Sequence, residues 1–335
     1  MLGYILRRLF LLVLTLWGLS VLTFFIARVA PTDPARLAAG PYATEEMVEQ
    51  LRKEFGLDKP LVTQYLLYLR GILHGDLGCS IRTRHPVAED LGRFFPATLE
   101  LVLFSLGFAV VLGVFLGTLS AVYHDRWIDQ MARLLSISGL GLPPFWLALM
   151  LQFLLATIFR LFPVSGRLSF GVTPPTPLTH LYLVDSLLTG NWRAFVDALS
   201  HIILPAVSLS FPALASIIRI NRADVLDVLN KEFIITSRAK GLPERTVIWK
   251  HMLRNALIPT TTMIGLRFGW MLGGTVLVET VFNWPGIGLY GVQSAIYSDF
   301  APIMGVTLLI GFCFCLVNLL VDLLYGVLDP RIRYV

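Results

Sequence analysis

The chain has 335 residues, 56% hydrophobic and only 15% charged, with a mean hydropathy of +0.72, which excludes an ordinary soluble domain because too little charge is left to cover its surface. Several uncharged apolar runs reach the roughly 20 helical residues needed to cross a ~30 Å hydrocarbon core. The net charge of +5 does not call for nucleic acid: Lys and Arg cluster between the apolar runs, as positive-inside bias requires.

Residues 1–30 hold a short N-terminus with Arg7 and Arg8, then an uncharged run from Leu9 to Ala27. The Arg-Arg start resembles a twin-arginine export signal, but the run is longer than a signal core of about 7–15 residues and no A-x-A site follows. An uncleaved first span with a cytoplasmic N-terminus is expected. Residues 31–97 read as an extracytoplasmic helical segment, a cap on the second span or a contact surface for an external partner. Thr44, Glu45 and Glu46 start a helix that Gly56 ends, and Pro60 starts another with Leu61, Tyr65, Leu69 and Leu73 along one stripe. A segment this long crosses largely regardless of its charge.

Residues 98–335 form the membrane core. The second span is expected from Thr98 to Tyr123, with Pro96 just before it and Gly113 and Gly117 spaced for close helix approach. A short loop with Arg126 and Arg133 leads to a third span, Leu134 to Phe159, interrupted by Pro143 and Pro144. Two prolines remove two amide donors where lipid supplies none, so a kink and a cavity-lining break both remain open. After an outer loop from Pro163 to Ser200, the fourth span (His201 to Ile220) contains Pro205 and Pro212, with Arg219, Asn221 and Arg222 at its inner end. The fifth starts near Leu257, and its Gly265, Gly269 and Gly273 form a double G-x-x-x-G packing face around Arg267. Arg267 either lines a pathway or pairs with a neighbouring helix, while Glu279 and Asp322 are expected at the membrane interface. Residues 280–300 lack Lys and Arg and read as an outer loop, with a tight turn at Asn283-Trp284-Pro285-Gly286 and an interfacial aromatic. The sixth span runs from Pro302 to Val321, and Arg331 and Arg333 close the chain on the inside. The fold expected is therefore all-α, six transmembrane helices with both termini cytoplasmic.

Between the fourth and fifth spans lies a polar island, residues 223–256. From Arg219 to Arg254 there are eight Lys/Arg against four acids. Placing any one of those cations at mid-membrane costs about 2.5–3.5 kcal/mol, which fixes this side as the inner one. Lys231 to Pro259 reads as two short helices joined at a hinge. Gly241 stands where a helix end favours a left-handed residue, Pro243 at the next helix's first position, Glu244 in its first turn, and Lys250, His251 and Arg254 in its last turns. Such an elbow suits a part that another protein holds.

Catalytic signatures are missing from the sequence. No lysine follows a glycine, so there is no P-loop; H-E-x-x-H and G-x-S-x-G are absent. Six scattered histidines, and Cys79, Cys313 and Cys315 without metal-ligand spacing, argue against metal or haem ligation. The chain is read as a non-enzyme without a cofactor of its own.

Several stretches carry a resemblance over nearly the full length: Tyr4 to Leu9, Gly75 to Gly78, Arg93 to Glu100, Arg238 to Pro243, Leu253 to Pro259, Val278 to Phe282 with Trp284 to Gly286, and Asn318 to Asp322. With them the chain resembles the transmembrane permease subunits of ATP-binding-cassette importers for dipeptides, oligopeptides and nickel, nearest to the dipeptide B-type branch. The resemblance implies the type I importer fold and a heterodimer with a second, homologous permease. It also implies two cytoplasmic ATPase subunits carrying the ATP and Mg²⁺, and an extracytoplasmic binding protein that delivers substrate. The elbow looks like the coupling loop known as the EAA loop, with Ile235, Thr236 and Ser237 where Glu-Ala-Ala would fall. The ATPase-docking set implied is Phe233, Thr236, Ser237, Arg238, Ala239, Lys240, Gly241, Leu242 and Pro243.

A chain without nucleotide chemistry must receive its energy by contact, and a rigid elbow is a suitable lever for rocking the attached spans. Pro143, Pro144, Pro205, Pro212, Gly265, Arg267, Gly269 and Gly273 are the residues expected to shape helix packing and passage. Dipeptides or short peptides fit the apolar, small lining residues best, with nickel chelate, glutathione and haem as alternatives of the same architecture. An ion-coupled secondary transporter would need buried carboxylates along the spans and an inverted repeat, and a membrane-embedded hydrolase would need a nucleophile or metal constellation; the sequence shows none of these clearly.

Overall fold

The structure, a computed structural model, describes residues 2–29, 34–40, 42–54 and 56–328; Arg331 and Arg333 lie outside them. Regular structure among the described residues is helical, apart from a single bridge between Cys79 and Pro86. In chain order the helices are α1 (Leu2–Val29), α2 (Pro34–Ala39), α3 (Glu45–Glu54), α4 (Leu61–Leu73), α5 (Val87–Val122), α6 (Trp127–Gly141) and α7 (Pro144–Leu151), which continues as a π-helical turn (Gln152–Ile158). Then come α8 (Tyr182–Leu188), α9 (Trp192–Leu229), α10 (Glu232–Ala239), α11 (Glu244–Thr246), a π-helical stretch (Val247–Met252), α12 (Leu253–Val281), α13 (Ile287–Ile296) and α14 (Phe300–Leu328). Among the described residues five helices are long and apolar enough to cross a membrane, and six spans result if α6 and the Pro144–Ile158 arm, bent by 106°, count as one.

Two compact units form, one from Met1–Thr98 with Pro285–Leu316, the other from Leu99–Trp284 with Val317–Arg333. In the first unit, α3 starts where Thr44 Oγ1 accepts the Met47 amide at 3.4 Å, and the backbone turns at Gly56 (φ +64°) before Pro60 leads into α4. The packed face of α4 keeps Tyr65 of the expected stripe but not the leucines at its two ends. Leu61 and Leu73 are exposed, while Gln64 is buried and Tyr65 and Tyr68 pack on Phe24 of α1, with ring centroids 5.3 and 5.7 Å apart. Val87 and Leu91 of α5, Ile287 and Tyr290 of α13 and Val306 of α14 make this unit's core. Thr98 Oγ1 accepts the Ile287 amide at 2.8 Å, and the Tyr290 hydroxyl donates to Asp90 Oδ2 at 2.8 Å. Burial and that carboxylate raise the Tyr290 phenol above its ordinary pKa.

In the second unit α9 is the hub, with 19 of its 38 residues buried and burial densest from His201 to Ile218. A Cβ at Gly113 would come within 2.7 Å of Ile217, and one at Gly117 within 2.8 Å of the Ile218 carbonyl, so both glycines allow α5 to lie directly on α9. Gly139 of α6 does the same, 2.6 Å from Ala215.

Several sequence expectations shift. Pro96 lies inside α5, not before it, because the helix already starts at Val87. The fourth helix starts at Trp192 and ends at Leu229, extending well beyond the apolar core at both ends. Pro143-Pro144 is a stop and restart: Leu142 and Pro143 are extended (ψ 124° and 134°), as residues before proline prefer, and Pro144 opens the next helix. The 280–300 segment contains α13, and Trp284 is 1% exposed, so it anchors the interior and not the interface.

Candidate functional site

The elbow is built where α9 runs out. Asn230 caps α9, and Lys231, in extended conformation, starts α10 with its Nζ 3.0 Å from Asp227. Alternation along α10 gives it two faces. Ile234 is fully buried and packs with Val225 and Val228 of α9, Val247, Met252 and Ala256 of the returning arm, and Ala121 of α5. Phe233 and Ile235, one step to either side, are 41% and 59% exposed. The seat fixes the elbow to the second unit; the exposed apolar side chains face away from that seat.

Gly241 forms the corner at φ +73°. Its amide donates to the Arg238 carbonyl at 2.9 Å and the Leu242 amide to the Ser237 carbonyl at 3.4 Å, the paired bonds of a Schellman end. A Cβ built on Gly241 meets nothing within 4 Å, so the glycine is required here by backbone conformation and not by crowding from the chain itself. Across the corner Arg238 forks onto Glu244, Nη2 to Oε1 at 2.6 Å and Nε to Oε2 at 3.3 Å. Thr236 Oγ1 and Ser237 Oγ donate to the carbonyls of Glu232 and Phe233 at 2.9 and 2.7 Å. The docking residues inferred from sequence thus lie on one continuous elbow, and all but half-buried Ser237 are exposed.

Two details differ from expectation. Pro243 is the N-cap, with Glu244 first in the helix. The second arm does not end near Pro259: it passes through the π-helical stretch into α12 and on to Val281, so Lys250, His251 and Arg254 are mid-helix. Pro259 is carried within α12, and the arm and the membrane helix form one rod. On that rod Trp249 stacks on Phe115 of α5 at 6.1 Å.

The residues expected to shape passage occupy the α6–α7 join, α9 and α12. Pro205 is buried and Pro212 half-buried within α9. Arg267 Nη2 donates to Ser216 Oγ at 2.5 Å, and that hydroxyl donates to the Pro212 carbonyl at 2.9 Å, so Arg267 pairs with the neighbouring helix. A Cβ at Gly265 would overlap Val321 of α14, whereas one at Gly273 meets nothing within 4 Å; the glycine series is a close contact at one end and open at the other. Glu279, near the end of α12, is fully buried.

Sequence reading overlooked two ionic latches in this unit. Asp129, fully buried in α6, accepts Arg222 Nε and Nη2 at 2.7 and 2.9 Å, Ser120 Oγ at 2.6 Å, the Asp125 amide at 3.0 Å and a further bond from Arg133. Glu100 accepts Arg167 Nη2 at 2.5 Å and the Leu183 amide at 2.7 Å, with the guanidinium 3.6 Å from the Tyr182 ring centroid. A hint was present: Asp129 is the sole acid from Trp127 to Ile158, four residues before Arg133. His124, Asp125 and Asp129 bring possible ligand atoms within 4.8 Å of one another, but Arg133 pairs with both carboxylates and Arg222 takes both oxygens of Asp129, so this donor set does not suit a cation.

The loop before α9 is held by Asp185, 1% exposed in the first turn of α8. Burial alone would raise its carboxyl, but bonds from Thr179 Oγ1 (2.7 Å) and from the amides of Thr179 (2.8 Å), Leu178 (3.2 Å) and His180 prevail and hold it below the ordinary carboxylate value.

Comparison with known proteins places these features. Residues 109–334 match the family described as binding-protein-dependent transport system inner membrane component, and residues 1–102 match its N-terminal counterpart. The chain is 46% identical over 321 residues to the probable D,D-dipeptide transport system permease protein DdpB of Escherichia coli K12, covering 96% of this chain and 94% of that one. It is 43% identical over 337 residues to the dipeptide transport system permease protein DppB of the same strain, covering 100% and 99%. The glutathione transport system permease protein GsiC of another Escherichia coli strain is 38% identical over 334 residues, with both chains fully covered.

Proposed function

This chain belongs to the family of inner-membrane components of binding-protein-dependent transport systems and is a permease subunit of a bacterial ATP-binding-cassette importer; from that premise we propose that it carries dipeptides or short peptides inward, driven by ATPases that hold the elbow. The observation that carries this reading is the elbow itself. A left-handed corner at Gly241, locked by Arg238 and Glu244, presents Phe233, Ile235 and Leu242 while its buried face is seated on α5, α9 and the α12 rod. Force applied at α10 is delivered to two membrane helices at once, because α9 enters the elbow and α12 leaves it.

In this reading the termini and the elbow are cytoplasmic, and residues 31–97 face outward. Residues 98–335 are the permease core, paired with a second permease subunit in a heterodimer. Two ATPase subunits, which hold the ATP and Mg²⁺, grip Phe233 and Thr236 to Pro243, and an extracytoplasmic binding protein supplies substrate. Pro143, Pro144, Pro205, Pro212, Gly265, Arg267, Gly269 and Gly273 shape packing and passage. The peptide substrate is supported by the names of the relatives, glutathione itself being a tripeptide.

The test is uptake into proteoliposomes holding the full complex, binding protein outside and ATP inside, with labelled glycyl-leucine, glutathione and a nickel chelate offered separately. Peptide uptake that requires both ATP and the binding protein is expected. Uptake of the nickel chelate alone, or uptake driven by an ion gradient without ATP, would refute the reading.

A further inference from the structure

Within the first unit a cavity of about 550 Å³ lies where the end of α1, the side of α4, the 76–84 loop and the start of α14 meet. That volume is in the range of small-molecule sites, roughly 300–1,000 Å³. It is separate from the elbow and from every residue assigned above to passage. Its wall carries both signs of charge, Arg28 and Arg84 against Asp76 and Asp299, together with Gln64 and Tyr68.

Three of these side chains hold a buried polar atom without a partner among the described residues: Asp299, Gln64 and, on a half-buried ring, the Tyr68 hydroxyl. Asp299 is 1% exposed; its Oδ2 accepts the Ser80 hydroxyl at 2.7 Å and the Arg82 amide at 3.1 Å, whereas Oδ1 has no donor among the described residues. Gln64 is 7% exposed; its Nε2 donates to the carbonyls of Leu57 and Lys59 at 3.2 and 2.7 Å, whereas Oε1 is unpaired. The first two are acceptors, one of them a carboxylate oxygen, and the Tyr68 hydroxyl can accept as well as donate. Buried polar groups left in this condition are costly, so native structures leave few of them unmatched. What completes them is a group with several donors and positive charge, which describes an ammonium ion. The guanidinium groups on the same wall then suit an anion on the same ligand; that of Arg28 lies 5.4 Å from the Phe24 ring centroid.

We propose that this cavity is a binding subsite for a small zwitterion with a free ammonium and a carboxylate, a short unblocked peptide, its ammonium on Asp299 and Gln64 and its carboxylate toward Arg28 and Arg84. This rests on the peptide reading above. An aminophospholipid headgroup offers the same two charges and is the competing occupant; the peptide is favoured because the chain's proposed substrate supplies it.

The experiment uses the intact complex in nanodiscs of phosphatidylglycerol, without binding protein, titrated with glycyl-leucine and with N-acetyl-glycyl-leucine by calorimetry. Glycyl-leucine should bind, and acetylation should weaken it about tenfold or more, the loss of a charge-assisted hydrogen bond. Asp299→Asn keeps an oxygen for Ser80 and Arg82 but turns a donor toward the ligand, and should cost a similar factor with the thermal midpoint unchanged. Gln64→Met should weaken binding as well, and serves if the first variant misfolds. Equal binding of the blocked and free peptides, wild-type affinity in both variants, or displacement of the peptide by phosphatidylethanolamine would overturn the proposal. Peptide uptake by the same complex with its binding protein is measured in parallel: uptake without binding at the cavity refutes only this inference, and absence of uptake refutes the reading beneath it.

Discussion

Asp129 and Arg222, 93 residues apart in sequence, form a two-pronged ion pair with the carboxylate entirely buried. The pair fastens α6 to α9 about two turns before α9 ends at the elbow. Whatever moves the elbow therefore moves α6 through a rigid contact and not through a loop.

Removing one partner of such a pair should be far worse than removing both. Asp129→Asn leaves Arg222 and Arg133, both partly open to solvent, facing a neutral amide and is expected to cost about 1–3 kcal/mol, read as a lowered thermal midpoint of the purified complex. Asp129→Asn combined with Arg222→Met should recover part of the loss. If the single variant were as stable as wild type, the latch would have no energetic role.

Gly265 and Gly273 separate packing from open surface. Gly265→Val places methyl groups on Val321 and should destabilise the chain by about 1–3 kcal/mol, as overpacking does. Gly273→Ala meets nothing within the chain and should leave its stability unchanged. Comparing the two by thermal unfolding in detergent checks both, and equal losses would contradict the placement.

Acid should loosen the 163–190 loop at α8 through Asp185. Its carboxyl is held below the ordinary value of 3.8, so its contribution is fully present above that pH and fades as pH falls through the lower, folded-state value. Protease cleavage in the 163–190 loop should therefore rise as pH drops below about 4. Asp185→Asn should show raised cleavage already at neutral pH and a flatter acid response. A wild-type profile in that variant would contradict the assignment.

The helical class and the elbow were legible because they rest on local signals: uncharged runs of membrane length, a glycine at a helix end, a proline before the next. What was hidden depends on partners far apart in sequence. Arg133 and Arg222 read as loop and boundary charges, and Asp129 drew no reading, because only the fold brings α6 and α9 together. Helix limits were misplaced for a related reason. Hydropathy marks the part of α5 and α9 that is apolar, while their backbone hydrogen bonding continues past it, carrying Pro96 inside α5 and starting α9 at Trp192. The cavity at Asp299 and Gln64 left no sequence trace, since neither residue belongs to a motif that marks a site.

The central claim is that the elbow transmits ATPase motion, and it is tested most directly at its corner. Gly241→Val adds about 1–2 kcal/mol of left-handed strain, and a Cβ there meets no described atom within 4 Å. In the reconstituted complex, with the thermal midpoint of the permease confirmed near wild type, substrate-stimulated ATPase activity and peptide uptake should both fall sharply. Wild-type stimulation and uptake in Gly241→Val would contradict the account.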